Sequence, residues 1–170
     1  GFGRTGSMFV CEQYNILPDI ICMAKSIAGG VPMGAIGVNG KIQAPPGSQS
    51  STFSGGPLAC RAGLAVLDII KEDKLVENSR IMGALLKHEL NKLAEQYQVI
   101  REVRGNGLML AVELKKKAKP VVEEMQKHKV LISLAGINGL RLLSPLTINE
   151  DDVKKFISVL EESLNIYGGE

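Results

Sequence analysis

The chain contains no tryptophan, and aromatic residues make up only 4% of it. Single-stranded nucleic acid is held by bases stacking on aromatic faces, so no such platform is expected. The net charge of +2 is too small to mark a surface that tracks phosphates. The basic run Lys115, Lys116, Lys117 and Lys119 reads as a solvated turn. Cysteine is scarce: Cys11, Cys22 and Cys60 are odd in number and form no Cys-x-x-Cys pair. Reduced thiols and a cytoplasmic setting are expected rather than a disulfide framework. Cys22 lies in an apolar run and Cys60 among small residues, and both read as core packing. The two histidines, His88 and His128, fall in lysine-rich helical stretches. No spacing of His, Cys or carboxylates resembles a zinc or iron site, so no metal is expected. No apolar run approaches a membrane span, and Gly1 opens no signal-peptide pattern, so no membrane partner is expected.

What is present describes a packed protein. Of 170 residues, 45% are hydrophobic and 22% charged, which suits one domain or a piece of a larger one. Residues 1–56 are rich in Gly, Pro and Ser and hold two apolar runs, 19–24 and 35–38. Runs without polar alternation predict strands covered on both faces, as in an α/β sheet. Residues 43–56 read as a long loop. Pro57 suits a first helical position, and 58–70 follows as an almost wholly apolar helix. Leu75, Met82, Leu86, Leu90 and Leu93 recur at helical spacing in a second helix over 75–93. Strands are predicted at 99–104 and 108–114, joined at Gly105-Asn106-Gly107 as a hairpin. A short helix at 118–128 precedes strands at 130–135 and 140–143 around Asn138-Gly139. Asn149 is a good N-cap for a last helix carrying the stripe Val153, Phe156, Ile157, Leu160 and Leu164. The second part is therefore an α+β unit.

Four segments could carry chemistry. Lys25 ends the apolar run at Ala24-Lys25-Ser26 and precedes Gly29-Gly30. An amine there could attack an aldehyde if partly desolvated, or its stem could pack while its head reaches water. Gly1-Phe2-Gly3-Arg4-Thr5-Gly6 could cradle an anion with backbone N–H groups, with Arg4 pairing a carboxylate or phosphate; an ordinary turn is the plainer reading. Ser51 and Thr52, before the helix that starts at Pro57, suit phosphate binding or simply an N-cap. Arg141 stands in an apolar strand, where it needs either an internal carboxylate or a substrate carboxylate. Physics alone leans to the internal partner. Arg104 reads as structural.

The order and spacing of these segments resemble the C-terminal part of the class III aminotransferases, over nearly the whole chain. These are fold type I pyridoxal-phosphate enzymes, among them acetylornithine, ornithine and 4-aminobutyrate aminotransferases. Gly1-Phe2-Gly3-Arg4-Thr5-Gly6 looks like the end of the family's Gln-x-Gly-x-Gly-Arg-Thr-Gly segment. Pro18-Asp19-Ile20 through Lys25, then Gly29-Gly30, Pro32 and Gly34-Ala35, looks like its cofactor-lysine motif. Ser51-Thr52-Phe53 before Pro57, Val103-Arg104-Gly105-Asn106-Gly107 and Leu140-Arg141-Leu142-Leu143-Ser144-Pro145-Leu146 match three further signatures. Gln49 stands where the family has His, Ser54 where it has Gly, Gly56 where it has Asn, and Ser144 where it has Pro.

The resemblance implies an α/β fold: the end of the large-domain sheet plus a small α+β domain. Residues 1–56 would close the large pyridoxal-phosphate domain, 57–98 would be linking helices, and 99–170 the small domain. Lys25 would carry pyridoxal 5'-phosphate as a Schiff base and move protons. Ser51 and Thr52 would bind the cofactor phosphate, that of the neighbouring subunit, which implies a homodimer with shared active sites. Arg141 would meet the substrate carboxylate or a family glutamate. The reaction would pass an amino group from an ω-amino acid to 2-oxoglutarate. The family's N-terminal part, with the aspartate that pairs the pyridine nitrogen, is not in this chain, so the chain alone is expected to be inactive. Asp19 is a separate, structural residue in the family pattern. The competing readings are a non-catalytic α/β interaction module and an aminomutase- or decarboxylase-like relative.

Overall fold

The computed structural model describes residues 1–48 and 51–168, so Gln49 and Ser50 lie outside the described residues. Glycine-rich turns at the start lead through a short 3₁₀ turn to β1 (Ile20–Met23). A second 3₁₀ turn, Lys25–Ala28, carries the chain to β2 (Ala35–Val38). The two strands pair antiparallel, Ile20 opposite Val38 and Met23 opposite Ala35. Asp19 closes the open end: its carbonyl accepts from the Asn39 N–H at 2.9 Å, and its carboxylate accepts from Asn39 Nδ2.

These strands depart from the expectation of full burial. Along each, half-buried and exposed residues alternate, with Ile20, Ile36 and Val38 all exposed. An uninterrupted apolar run states what a strand can bury, not what packs against it. Cys22 points to the exposed side and Cys60 is only partly buried, so neither is a core residue in this chain.

α1 (Pro57–Glu72) begins with Pro57 in the first turn, where a missing N–H costs nothing. It packs on the Lys25–Ala28 turn, where Gly63 meets Met33 and Gly29 meets Val66. α2 (Leu75–Gln96) buries Leu75, Met82, Leu86, Leu90 and Leu93, the predicted stripe. β3 (Ile100–Asn106) and β4 (Met109–Leu114) form the predicted hairpin, its turn at Gly107 and Leu108. α3 (Lys119–Lys127), β5 (Ser133–Ala135), β6 (Gly139–Leu142) and α4 (Glu150–Gly168) complete the chain. Asn149 caps α4: its Oδ1 accepts from the Asp151 and Asp152 N–H groups at 2.9 and 3.1 Å. The Asp152 carboxylate returns the bond to the Asn149 N–H at 3.0 Å.

The four C-terminal strands form one antiparallel sheet in the order β3-β4-β6-β5. Leu110, Val112 and Leu114 of β4, with Leu140 and Leu142 of β6, face α2, α3 and α4. Leu90, Met125, Leu160 and Leu164 are wholly buried against them. Each such side chain contributes about 1.5–3 kcal/mol by leaving water. Strand alternation puts Met109, Ala111 and Arg141 on the opposite face of the sheet. The core is thus one-sided, and the other face is free to line a site.

Candidate active site

A cavity of about 650 Å³ opens between the N-terminal segment and the uncovered face of the large sheet. Its walls come from Gly1 to Cys11, from β1, and from Met109, Arg141 and Leu143. Phe2 and Phe9 meet edge to face at 5.9 Å and form an apolar wall. Lys25 follows the last residue of β1 by two positions and stands at the opening of the 3₁₀ turn with φ +63°, a left-handed conformation. The residues around the cavity include three cations, Arg4, Lys25 and Arg141, and no carboxylate.

Arg141 belongs to β6, directly opposite Ala111 on one side and Ser133 on the other. Its guanidinium is exposed and has no hydrogen-bond or ion-pair partner among the described residues. The internal carboxylate favoured from physics alone is therefore not found: the strand is apolar only on its helix-facing side, so the arginine is not buried. The carboxylates nearest in the sheet, Glu102 and Glu113, are taken by Arg104 at 3.0 and 3.2 Å. Arg104 is the structural arginine that the sequence suggested.

Lys25 is exposed rather than partly desolvated in this chain. Ser51 and Thr52 are exposed and lie outside the cavity of Lys25 and Arg141. The structure thus unites Lys25 with Arg141 and leaves Ser51 and Thr52 apart from them. The sequence leaves Arg4 either pairing an anion or sitting in an ordinary turn. Its Nη1 instead donates to the Ser144 carbonyl, three residues beyond Arg141. Partial burial disfavours the charged form and holds the Arg4 guanidinium below its ordinary value. No sequence signal links Arg4 to Ser144, since the partners sit at opposite ends of the chain.

Residues 1–164 match the aminotransferase class-III family. The chain belongs to the class-III aminotransferases. It is 44% identical over 163 residues to an acetylornithine aminotransferase of Methanosarcina mazei, a match over 96% of this chain and 41% of that protein. An ornithine aminotransferase of Oceanobacillus iheyensis is 38% identical, over 96% of this chain and 42% of its own length. Among solved structures, an acetylornithine aminotransferase from Elizabethkingia anophelis superposes with a TM-score of 0.91 at 30% identity, over 98% of this chain and 43% of that one. An amine transaminase from an uncultivated Pseudomonas species, solved in its pyridoxal-phosphate-bound form, superposes with a TM-score of 0.90 at 34% identity, over 98% of this chain and 42% of that one. This class-III aminotransferase chain therefore spans about two-fifths of the length of the relatives it matches. Among its described residues no helix is long and apolar enough to cross a membrane, and no cluster of His, Cys, Asp and Glu could hold a metal.

Proposed function

We propose that the chain is part of a pyridoxal-phosphate-dependent aminotransferase that moves an amino group from an ω-amino acid to 2-oxoglutarate. Acetylornithine and ornithine are the favoured donors, with 4-aminobutyrate a further candidate. The observation that carries the reading is that Lys25 and Arg141 line one cavity, whose charged residues are all cations and which holds no carboxylate. That donor set fits an anionic aldehyde and an anionic substrate. Pyridoxal phosphate, when bound, supplies an aldehyde that captures amines and a ring that withdraws electrons. Lys25 contributes its Nζ amine as the tether and as the group that takes and returns a proton at the donor's carbon. Arg141, unpaired and facing the cavity, holds the donor or acceptor carboxylate. Phe2 and Phe9 keep one wall dry.

Ser51 and Thr52 stand apart from this cavity, and we assign them to the phosphate of a neighbouring subunit's cofactor in a homodimer. Residues 1–56 would then close the large domain, 57–98 link, and 99–170 form the small domain of a cytoplasmic enzyme. The exposure of Lys25 favours one competing reading, a non-catalytic module in which the amine meets only water. Borohydride reduction after addition of pyridoxal phosphate, followed by peptide mapping, separates the two. A cofactor adduct confined to Lys25 supports the enzyme. An adduct scattered over surface lysines, in the full-length protein as well as in this chain, supports the module.

A further inference from the structure

We propose that Arg4 is a positioning residue that holds Arg141 in register with Lys25 for donors that carry a carboxylate. The inference rests on the aminotransferase reading of the cavity.

Arg4 joins three parts of the chain at once. Its guanidinium donates to the Ser144 carbonyl, which fixes the segment leaving β6 just after Arg141. Its own carbonyl accepts from the Leu108 N–H at 2.8 Å, which fixes the β3–β4 turn and hence Met109 at the cavity wall. Gly107 allows this approach: a Cβ there would lie 2.5 Å from the Thr5 carbonyl carbon and 2.6 Å from the Arg4 oxygen. Gln13 reinforces the joint, donating to the Thr5 carbonyl at 2.6 Å and accepting from Asn106 Nδ2 at 3.1 Å. The segment so held also rests on α1 and α2, where Gly3 lies against Ile70 and Val76. α1 in turn packs on the turn that presents Lys25.

The chemistry of Arg4 favours positioning over support alone. A partly buried guanidinium with no carboxylate partner is an expensive way to fill space. Its planar fork can donate to a carbonyl in one fixed direction, which a methylene chain cannot do. Arg4 is also the structural link between the segment preceding β1 and Lys25 and the strand that carries Arg141. Small displacements of a carboxylate clamp matter, because a misplacement of about 1 Å can cost roughly a hundredfold in rate.

The test uses the full-length enzyme with Arg4→Ala, Arg141→Ala and the double variant. Arg4→Ala is expected to lower kcat/KM for ornithine about ten- to hundredfold. The loss with an amine that has no carboxylate should be at least about tenfold smaller, since that donor does not use Arg141. In the Arg141→Ala background, Arg4→Ala should add little, a coupling that independent sites do not show. Calorimetry with glutarate, an unreactive dicarboxylate, should show a comparable loss of affinity, while the borohydride adduct at Lys25 persists. Arg4→Lys, which keeps one donor and the charge, should recover part of each loss, and it answers the same question if Arg4→Ala does not fold. Equal losses on both donors, or full additivity in the double variant, would overturn the proposal and make Arg4 a direct anion ligand or a general support. Failure of the unsubstituted enzyme to label at Lys25 would instead overturn the aminotransferase reading beneath it.

Discussion

Lys25 and Arg141 come from opposite ends of the chain, yet they line the same cavity, one from the β1 side and one from β6. On the proposed reading, covalent capture would fall to one element and carboxylate binding to the other. Arg141→Ala should therefore lower kcat/KM for carboxylate-bearing donors by about a hundredfold or more, the usual loss when one member of a charged pair is removed. The same variant should still give a borohydride adduct at Lys25. Loss of the adduct as well would show that Arg141 shapes the Lys25 site itself.

Lys25 adopts φ +63°, a region that costs a side-chain-bearing residue of order 1 kcal/mol. Lys25→Gly and Lys25→Ala should both abolish the cofactor adduct. They should differ in stability, with the glycine variant more stable by about 0.5–1 kcal/mol because only it relieves the backbone. Urea denaturation midpoints of the two variants measure the difference. Equal midpoints would mean that the turn relaxes once the lysine is gone.

A Cβ at Gly83 would overlap the backbone of Gly107, so α2 and the β3–β4 turn touch only because position 83 is glycine. Gly83→Ala should destabilise the chain by about 1–3 kcal/mol or more, the range for overpacking. It should also weaken glutarate binding, because the turn it displaces carries the Leu108 N–H that Arg4 accepts. Thermal melting and calorimetry on one preparation test both outcomes.

Glu124 is held below the usual carboxylate range, first by its hydrogen bond from Lys127 at 2.6 Å and then by charge from Lys127 and His128. A carboxylate whose folded value is depressed contributes stability above its unfolded value and loses it as the pH falls through the folded one. His128 lies 3.5 Å from Glu124 and 3.6 Å from Glu162, so the same cluster links α3 to α4. Denaturation midpoints of the parent and Glu124→Gln should differ at neutral pH and converge as the pH drops below the glutamate range. The difference should shrink with added salt, because the pair is exposed.

The sequence made the helical stripes of α2 and α4 legible, because local periodicity and the Asn149 cap already specify which face is buried. The β3–β4 hairpin was legible for a similar reason, with an Asn-Gly pair at its turn. Burial of β1 and β2 was not, since the partners that would cover a strand are not encoded in the strand. Arg141 showed the same limit from the other side. An arginine among apolar neighbours suggested an internal carboxylate, while strand alternation alone puts it on the open face. Ser51, Thr52 and Lys25 read as one motif set by resemblance, but their separation is a tertiary fact. The Arg4–Ser144 bond was invisible because it depends on how distant segments meet.

The joint around Arg4 bears on how the chain would respond to a protease. Residues 41–48 are exposed and lack regular structure, the features that invite cleavage. A cut there would sever the peptide but not the assembly. Arg4 would still grip Leu108 and Ser144, Gln13 would still grip Asn106, and the Lys25–Ala28 turn would still rest on α1. The two pieces would travel together on a sizing column and separate only in denaturant, as a nicked but intact particle.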